Sequence, residues 1–329
     1  MNYDSFSSLI PHLSSLIFFA LACAPQYRPP HAVGKPTEII VVSEDEPYYA
    51  IDSLLSAVLE RVIYTPTQEN IFNIKKVNTQ KFPNFKYRRN ILILGLIGDP
   101  IIDSTLSPSA MKKALSGELY IFGAENLFIS EQCVLVIVAP TIYKLNEVIE
   151  SNADLIFNYF AEGVRKSLKE ILYKDGYQED LANRLGKRYG FSISIPYGWI
   201  EAKEEFGVVE FIRHSPDRII SIHWETSPDE DINKERAIFM RNKLGNKYWD
   251  GDSVDTSHTS FYWVNFHNLK AGKLDGIWQN DAKVMGGPFR SYLFLTGGRL
   301  YFIDMHIFAP GEKKWRWLQQ LEIIVDTFS

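Results

Sequence analysis

The hydrophobic pattern of the chain changes period near residue 176, and this shift constrains the fold more than any other feature. Before it, Val/Ile/Leu runs such as Glu38-Ile39-Ile40-Val41-Val42 alternate with stretches whose apolar residues recur every three or four positions. Continuous apolar runs are the signature of strands buried on both faces, and the three-to-four spacing is that of amphipathic helices. After it, runs such as Phe191-Ser192-Ile193-Ser194-Ile195 alternate with period two, and all seven tryptophans fall beyond residue 190. Period-two runs joined by short turns predict an antiparallel sheet with one covered face.

These patterns predict two α/β modules of an α+β chain, each a largely antiparallel or mixed sheet covered by helices, spanning residues 38–175 and 176–329. In the first module, strands are expected at 38–42, 71–77, 90–96, 119–122 and 134–138, with helices at 48–62 and 108–115 and one long amphipathic helix over 141–172. Gly176 supplies a stop signal, and a short helix follows over 178–188. In the second module, strands are expected at 189–199, 208–212, 218–225, 260–268, 273–279, 290–295 and 300–308. Helices are expected at 232–244 and 312–328. The hydrophobic fraction of 46% and aromatic fraction of 14% suffice for two cores.

The N-terminus reads as an address. Residues 9–22 form an apolar stretch too short for a membrane-spanning helix and interrupted by Pro11, His12, Ser14 and Ser15. Ala20-Leu21-Ala22-Cys23 resembles the lipobox of bacterial lipoproteins, which implies a signal peptide over 1–22 and a lipid on the Cys23 thiol. The segment ahead of the apolar run carries Asp4 and no Lys or Arg, and Ala20 stands where the lipobox usually has leucine. A proline-rich tether over 23–37 would hold the folded part off the bilayer. Ala24 follows the cysteine where an inner-membrane retention signal commonly has aspartate, so the expectation is an outer-membrane protein facing the periplasm. Its partners are then the membrane, through the lipid, and an envelope protein or cell-wall component. With Cys23 lipidated, Cys133 has no intrachain disulfide partner, and its apolar surroundings in sequence predict a packed thiol.

Net charge is −5, or −4 without Asp4, the single charge among residues 1–22. That balance argues against nucleic acid, whose binding requires surplus cations to displace counterions.

No GxSxG, Walker, HExxH or CxxC motif occurs, so no resident metal or cofactor is expected. The best chemical candidates are two period-two pairs, His223 with Glu225 and Asp304 with His306. If their strands were neighbours, the four groups would converge as metal ligands or as an acid/base set, the basis of an alternative reading as a metal-dependent or acid/base hydrolase. Such pairs are more often the solvated face of a sheet. Met285-Gly286-Gly287-Pro288-Phe289 reads as a loop in which paired glycines permit close approach of a ligand, making Trp278, Asp281, Gly286 and Gly287 binding candidates. It reads equally as a turn.

The segment 191–199, the strands after it, Gly298-Arg299-Leu300-Tyr301-Phe302-Ile303 and the final helix resemble the Mog1/PsbP-like fold. The whole exported chain is similar to an uncharacterised lipoprotein family of Bacteroidota and neighbouring bacteria. Residues 34–42, Arg89-Asn90-Ile91-Leu92-Ile93 and Met285-Gly286-Gly287-Pro288-Phe289 carry that similarity. The lipoprotein resemblance implies a cell-envelope lipoprotein of unknown activity and brings no catalytic residues, and the Mog1/PsbP-like resemblance implies an accessory binding module rather than an enzyme. The expected function is therefore a non-enzymatic binding or assembly module.

Overall fold

The computed structural model describes residues 31–226 and 232–329. Cys23 and the expected signal segment lie outside them.

The first domain is built on five strands: β1 (Glu38–Val42), β4 (Asn73–Val77), β5 (Asn90–Leu96), β6 (Ile121–Glu125) and β7 (Cys133–Ala139), in the order β4-β1-β5-β7-β6. All neighbours pair parallel except β6, which runs antiparallel to β7 at the edge. The apolar runs are continuous because both faces are covered. Ile39, Val41, Leu92, Leu94, Leu135 and Ile137 pack under α2 (Asp52–Leu59), α5 (Ile142–Ser151) and α6 (Ala153–Leu172). Ile40, Val42, Ile91, Ile93, Val134 and Val136 pack on the opposite side, where α3 (Pro100–Thr105) and α4 (Pro108–Ser116) lie.

Two helices expected as single units are broken. The 48–62 stretch divides into α1 (Asp45–Tyr49) and α2, and Val62 already belongs to a strand. The 141–172 stretch breaks at Asn152, whose side-chain amide donates to the Val148 carbonyl at 2.7 Å and ends α5 locally. The end of the expected tether is not free either. Ala32 N donates to Ser130 O at 3.0 Å, Val33 N donates to Tyr87 O at 3.0 Å, and Arg89 Nη2 donates to Ala32 O at 3.2 Å, so the chain is already docked at residue 32.

The second domain is a seven-stranded antiparallel sheet ordered β11-β12-β13-β14-β10-β9-β8. Its strands are β8 (Ile200–Glu205), β9 (Val208–Arg213), β10 (Asp217–Thr226), β11 (Ser253–Phe266), β12 (Leu269–Asn280), β13 (Met285–Thr296) and β14 (Arg299–Phe308). One face packs against α7 (Glu179–Tyr189) and α9 (Trp315–Val325) around Phe191, Trp224, Phe294 and Phe328. The other packs against α8 (Lys234–Tyr248) through Ala237, Met240, Leu244, Leu293 and Phe302. The two sheets flanked by helices give the expected α+β architecture.

Residues 189–199 are not a sheet strand. Phe191, Ile193 and Ile195 alternate inward as expected, but the serines between them bond to the C-terminal tail rather than to a sheet strand. Ser192 and Ser329 exchange N–H to C=O bonds of 2.8 and 3.0 Å, and Ser194 N donates to Thr327 Oγ1 at 2.8 Å. Period two reports an extended chain with one buried face, whatever satisfies its amides.

Helix α9 joins the domains. Leu318, Leu321, Ile324 and Val325 enter the second core, while Trp315 and Ile323 enter the first, with the Trp315 ring 5.7 Å from Phe72. A helix apolar on several sides is one buried between layers. A second link is the hairpin of β2 (Val62–Thr65) and β3 (Thr67–Asn70), which leaves the first domain and touches β12 and β13. At its base the buried Glu69 accepts from Lys314 N at 2.7 Å, Lys314 Nζ at 3.2 Å and Thr65 Oγ1 at 2.5 Å. Among the described residues, no helix is long and apolar enough to cross a membrane.

Candidate functional site

Strands β10 and β14 are neighbours, with Ser221 opposite Asp304 and His223 opposite Phe302. His223, Glu225, Asp304 and His306 therefore share one face, as their spacing required. The face is covered by α8, and the pairs remain separate. Asp304, fully buried, accepts from Ser291 Oγ at 2.6 Å, meets His306 Nδ1 at 2.8 Å and faces Arg241 Nε at 3.2 Å. Burial alone would raise the Asp304 pKa, yet Arg241 and His306 hold it below the usual carboxylate range. Against the His306 ring stands Trp249, 4.4 Å away, whose indole N–H donates to Glu210 at 2.7 Å.

Glu225 meets His223 Nε2 at 3.5 Å, accepts from Arg236 at 2.8 Å and faces Lys243 at 3.5 Å. Burial pushes the His223 pKa down. Each carboxylate is thus occupied by cations from α8, and no cluster of three or more His, Cys, Asp or Glu side chains suited to a metal occurs among the described residues. The arrangement anchors α8 to the sheet; Asp304 and His306, at 0% and 2% exposure, have no opening to a substrate.

The glycine segment is not a loop. Met285 to Phe289 begin β13, paired to β12 with Gly287 opposite Trp278 and Gly286 opposite Gln279. Trp278 is buried and donates its indole N–H to Ile307 O at 3.2 Å. A Cβ on Gly287 would stand 1.9 Å from Ile307 O and 2.9 Å from the Trp278 indole nitrogen, and one on Gly286 would stand 2.8 Å from Trp278 O. The glycines give space to a packed tryptophan, a requirement that turn statistics alone do not reveal. The actual turn lies one step earlier, around the exposed Asp281.

The open site lies at the domain junction. Between Asp255, opposite Ile277, and Ser260, opposite Asp275, residues 256–259 of β11 face a single residue, Gly276. This large bulge is held by Asp255, which accepts from Ser257 N at 3.0 Å and Ser257 Oγ at 2.5 Å and meets His258 Nδ1 at 2.7 Å. Bonds from Ser257 and His258 pull the Asp255 pKa down to about 2. A Cβ on Gly276 would stand 2.3 Å from Thr259 Oγ1, so the bulge folds over the strand only because position 276 has no side chain.

The bulge and the β2–β3 hairpin enclose a cleft of two lobes. The first, about 480 Å³, runs past Ile63, Ser257, Ser260, Asp275, Phe289 and Arg290. The second, about 580 Å³, runs past Gln68, Asp255, Trp278, Gln279, Asp281 and Gly286. Tyr64 and His258 line both, their rings 5.9 Å apart. Three of the four binding candidates thus reach this cleft, and Gly287 is not among its lining residues. Despite its resemblance to a Ser-His-Asp set, Ser257-His258-Asp255 is no relay, because serine and aspartate both address the same imidazole nitrogen, at 3.0 and 2.7 Å.

Cys133 lines a smaller cavity of about 230 Å³ on the first domain. Burial and the neighbouring Glu125 push its thiol pKa up, consistent with a packed rather than a nucleophilic sulfur.

Sequence expectation missed the bulge because it places the start of this strand at Ser260. The available signal was the unbroken polar run Asp255-Thr256-Ser257-His258-Thr259-Ser260 between Val254 and Phe261, too long for one pleat.

Residues 178–327 match a family described as a domain of unknown function (DUF4837), and residues 32–173 match another described in the same words (DUF8532). The seam between the matches falls beside Gly176. No curated protein matches the chain. Among solved structures, the PsbP protein of Synechocystis sp. PCC 6803 is similar at 13% identity and a TM-score of 0.33, over 43% of this chain and 86% of its own. LpqN of Mycobacterium tuberculosis, described as involved in cell envelope biogenesis, is similar at 12% identity and a TM-score of 0.28, over 42% and 82%. A Bacteroides thetaiotaomicron structure is similar at 14% identity and a TM-score of 0.28; the match spans 42% of this chain and less than half, 44%, of that one.

Proposed function

We propose that the protein is a cell-envelope lipoprotein, anchored through Cys23, that acts as a non-enzymatic binding or assembly module and engages its partner in the cleft between β11 and the β2–β3 hairpin. The cleft carries this reading. It is an open space of ligand size at a domain junction, where binding sites concentrate, whereas Asp304 and His306 are buried beneath α8 and the half-buried Glu225 is taken by Arg236 and Lys243. The lipobox resemblance supports the anchor, and the absence of an acidic cluster after Cys23 supports an outer-membrane position facing the periplasm.

The test joins both parts. The wild type should incorporate an alkynyl fatty acid and fractionate with membranes, and Cys23→Ser should do neither. A photo-crosslinking residue at position 64 should give a discrete adduct in cells, while one at the exposed Phe239 on α8 should not. Persistent labelling of Cys23→Ser would refute the anchor, and equal adducts at both positions would refute the cleft. Stoichiometric zinc or iron lost on His306→Ala would favour the hydrolase alternative instead.

A further inference from the structure

The chemistry lining the cleft narrows what it holds, and we infer that it is a saccharide site that takes an uncharged oligosaccharide. The inference rests on the binding reading above and goes beyond it by naming the ligand class.

Charge excludes the common alternatives first. Among the described residues, Arg290 is the one guanidinium or ammonium group lining either lobe. It is already committed, donating to Glu322 at 2.6 Å and facing Asp275 at 3.5 Å. No cation is left over for a phosphate, a sulfate or an acidic sugar, and Asp255 stays ionised and repels them. A cationic ligand would gain only from the exposed Asp281, because Asp255 is bonded to Ser257 and His258, and Asp275 accepts from Tyr262 at 2.5 Å. A peptide strand adding to the sheet would need a regular edge, and β11 is bulged where it borders the cleft.

What remains on offer is hydroxyl and amide beside ring faces. Ser257, Ser260 and Gln279 are exposed, while Asp275 is held by Tyr262 and Arg290. A sugar ring carries hydroxyls that both donate and accept, and C–H faces that pack on aromatic planes, so it can use all of these groups at once. Tyr64, 57% exposed, stands with His258 between the lobes and gives such a ring a surface on either side. Each lobe lies within the ~300–1,000 Å³ of small-ligand pockets. Two lobes that share one ring pair suit a chain of several sugar units better than a monosaccharide.

Isothermal titration of the full chain in detergent with chitohexaose, maltohexaose, a heparin hexasaccharide and hexalysine tests this. At least one of the two neutral hexaoses should bind one to one with a Kd below about 1 mM. Tyr64→Ala, which removes an exposed ring and leaves the fold intact by circular dichroism, should weaken it about tenfold or more, and Phe239→Ala should leave it unchanged. Absence of binding by both neutral hexaoses, tighter binding of heparin or hexalysine, or full affinity in Tyr64→Ala would each overturn the assignment. A cellular adduct at position 64 without hexaose binding would sink the saccharide class and leave the binding module standing. Hexaose binding without an adduct would keep the saccharide class and sink a protein partner in the cleft.

Discussion

Glu322 of α9 ties the floor of the first lobe to the domain junction, and replacing it with glutamine isolates the role of its charge. Its carboxylate accepts from Lys273 at 2.7 Å and from Arg290 at 2.6 Å, and it is 8% exposed. Burial alone would raise its pKa, but Arg290 and Lys273 outweigh burial and bring it down to about 2. An unfolded glutamate titrates near ~4.3, and each pKa unit corresponds to ~1.4 kcal/mol, so the ionised form contributes about 3 kcal/mol of folding stability at neutral pH. The sign follows from a depressed folded pKa. The contribution is complete above about pH 5 and is lost as pH falls from there towards 2, while the unfolded chain takes up the proton first. Glu322→Gln keeps the shape and most of the hydrogen bonding but removes the charge opposite two half-buried cations. It should cost about 3 kcal/mol, or roughly 6–12 °C in Tm for a domain of this size. Tryptophan fluorescence is the suitable probe, since all seven tryptophans lie in the second half of the chain. Urea titrations at pH 7, 5, 4 and 3 should show wild-type stability falling more steeply than that of the variant. A loss below about 1 kcal/mol at pH 7, or parallel pH profiles for the two proteins, would refute the argument that charge pairing outweighs burial here.

Two further outcomes follow from close contacts elsewhere. In α6, a Cβ at Gly163 would stand 2.1 Å from Cys133 Sγ, so Gly163→Ala should destabilise the first domain by roughly 1–3 kcal/mol, and adding Cys133→Ala should restore most of the loss in a urea titration. Asp304→Asn should cost about 3–5 kcal/mol because it leaves the fully buried Arg241 guanidinium, seated 4.3 Å from the Phe289 ring, without its counter-charge; Arg241→Met with Asp304→Leu should recover much of this in thermal melts.

The parts of the fold legible in sequence are those where one local signal has one physical cause. Ile39 to Val42, Ile91 to Leu94 and Val134 to Val138 are apolar throughout because helices cover both faces of their sheet, and no other environment tolerates such runs in a strand. The antiparallel second domain was legible for the complementary reason, alternation that one covered face demands. Legibility failed where two environments share a pattern. Phe191, Ile193 and Ile195 alternate as in a sheet strand, yet the intervening Ser192 and Ser194 bond to the chain terminus. Gly286-Gly287-Pro288 has the composition of a turn, yet yields space to Trp278 within a strand. Most tryptophans proved to be core: Trp263, at 47% exposure, is the exception among the large exposed side chains.

The candidate site divides along the same line. Period two alone put His223 and Glu225 on one face of β10 and Asp304 and His306 on one face of β14, a consequence of pleat geometry that needs no neighbours. That the strands adjoin, that α8 covers their shared face and that Arg241 occupies Asp304 are facts of long-range packing, which no local pattern encodes. The cleft is more dependent still on tertiary structure. Its walls come from residues 63–68, 255–260 and 275–290, and it exists because a helix shared by two cores fixes the hairpin of one domain over the bulge of the other. Sequence by itself determined the two folding patterns and carried the resemblance to an exported lipoprotein, because each is written in contiguous residues. Tertiary structure alone decided where a ligand has room, because room is set by side chains that meet from distant parts of the chain.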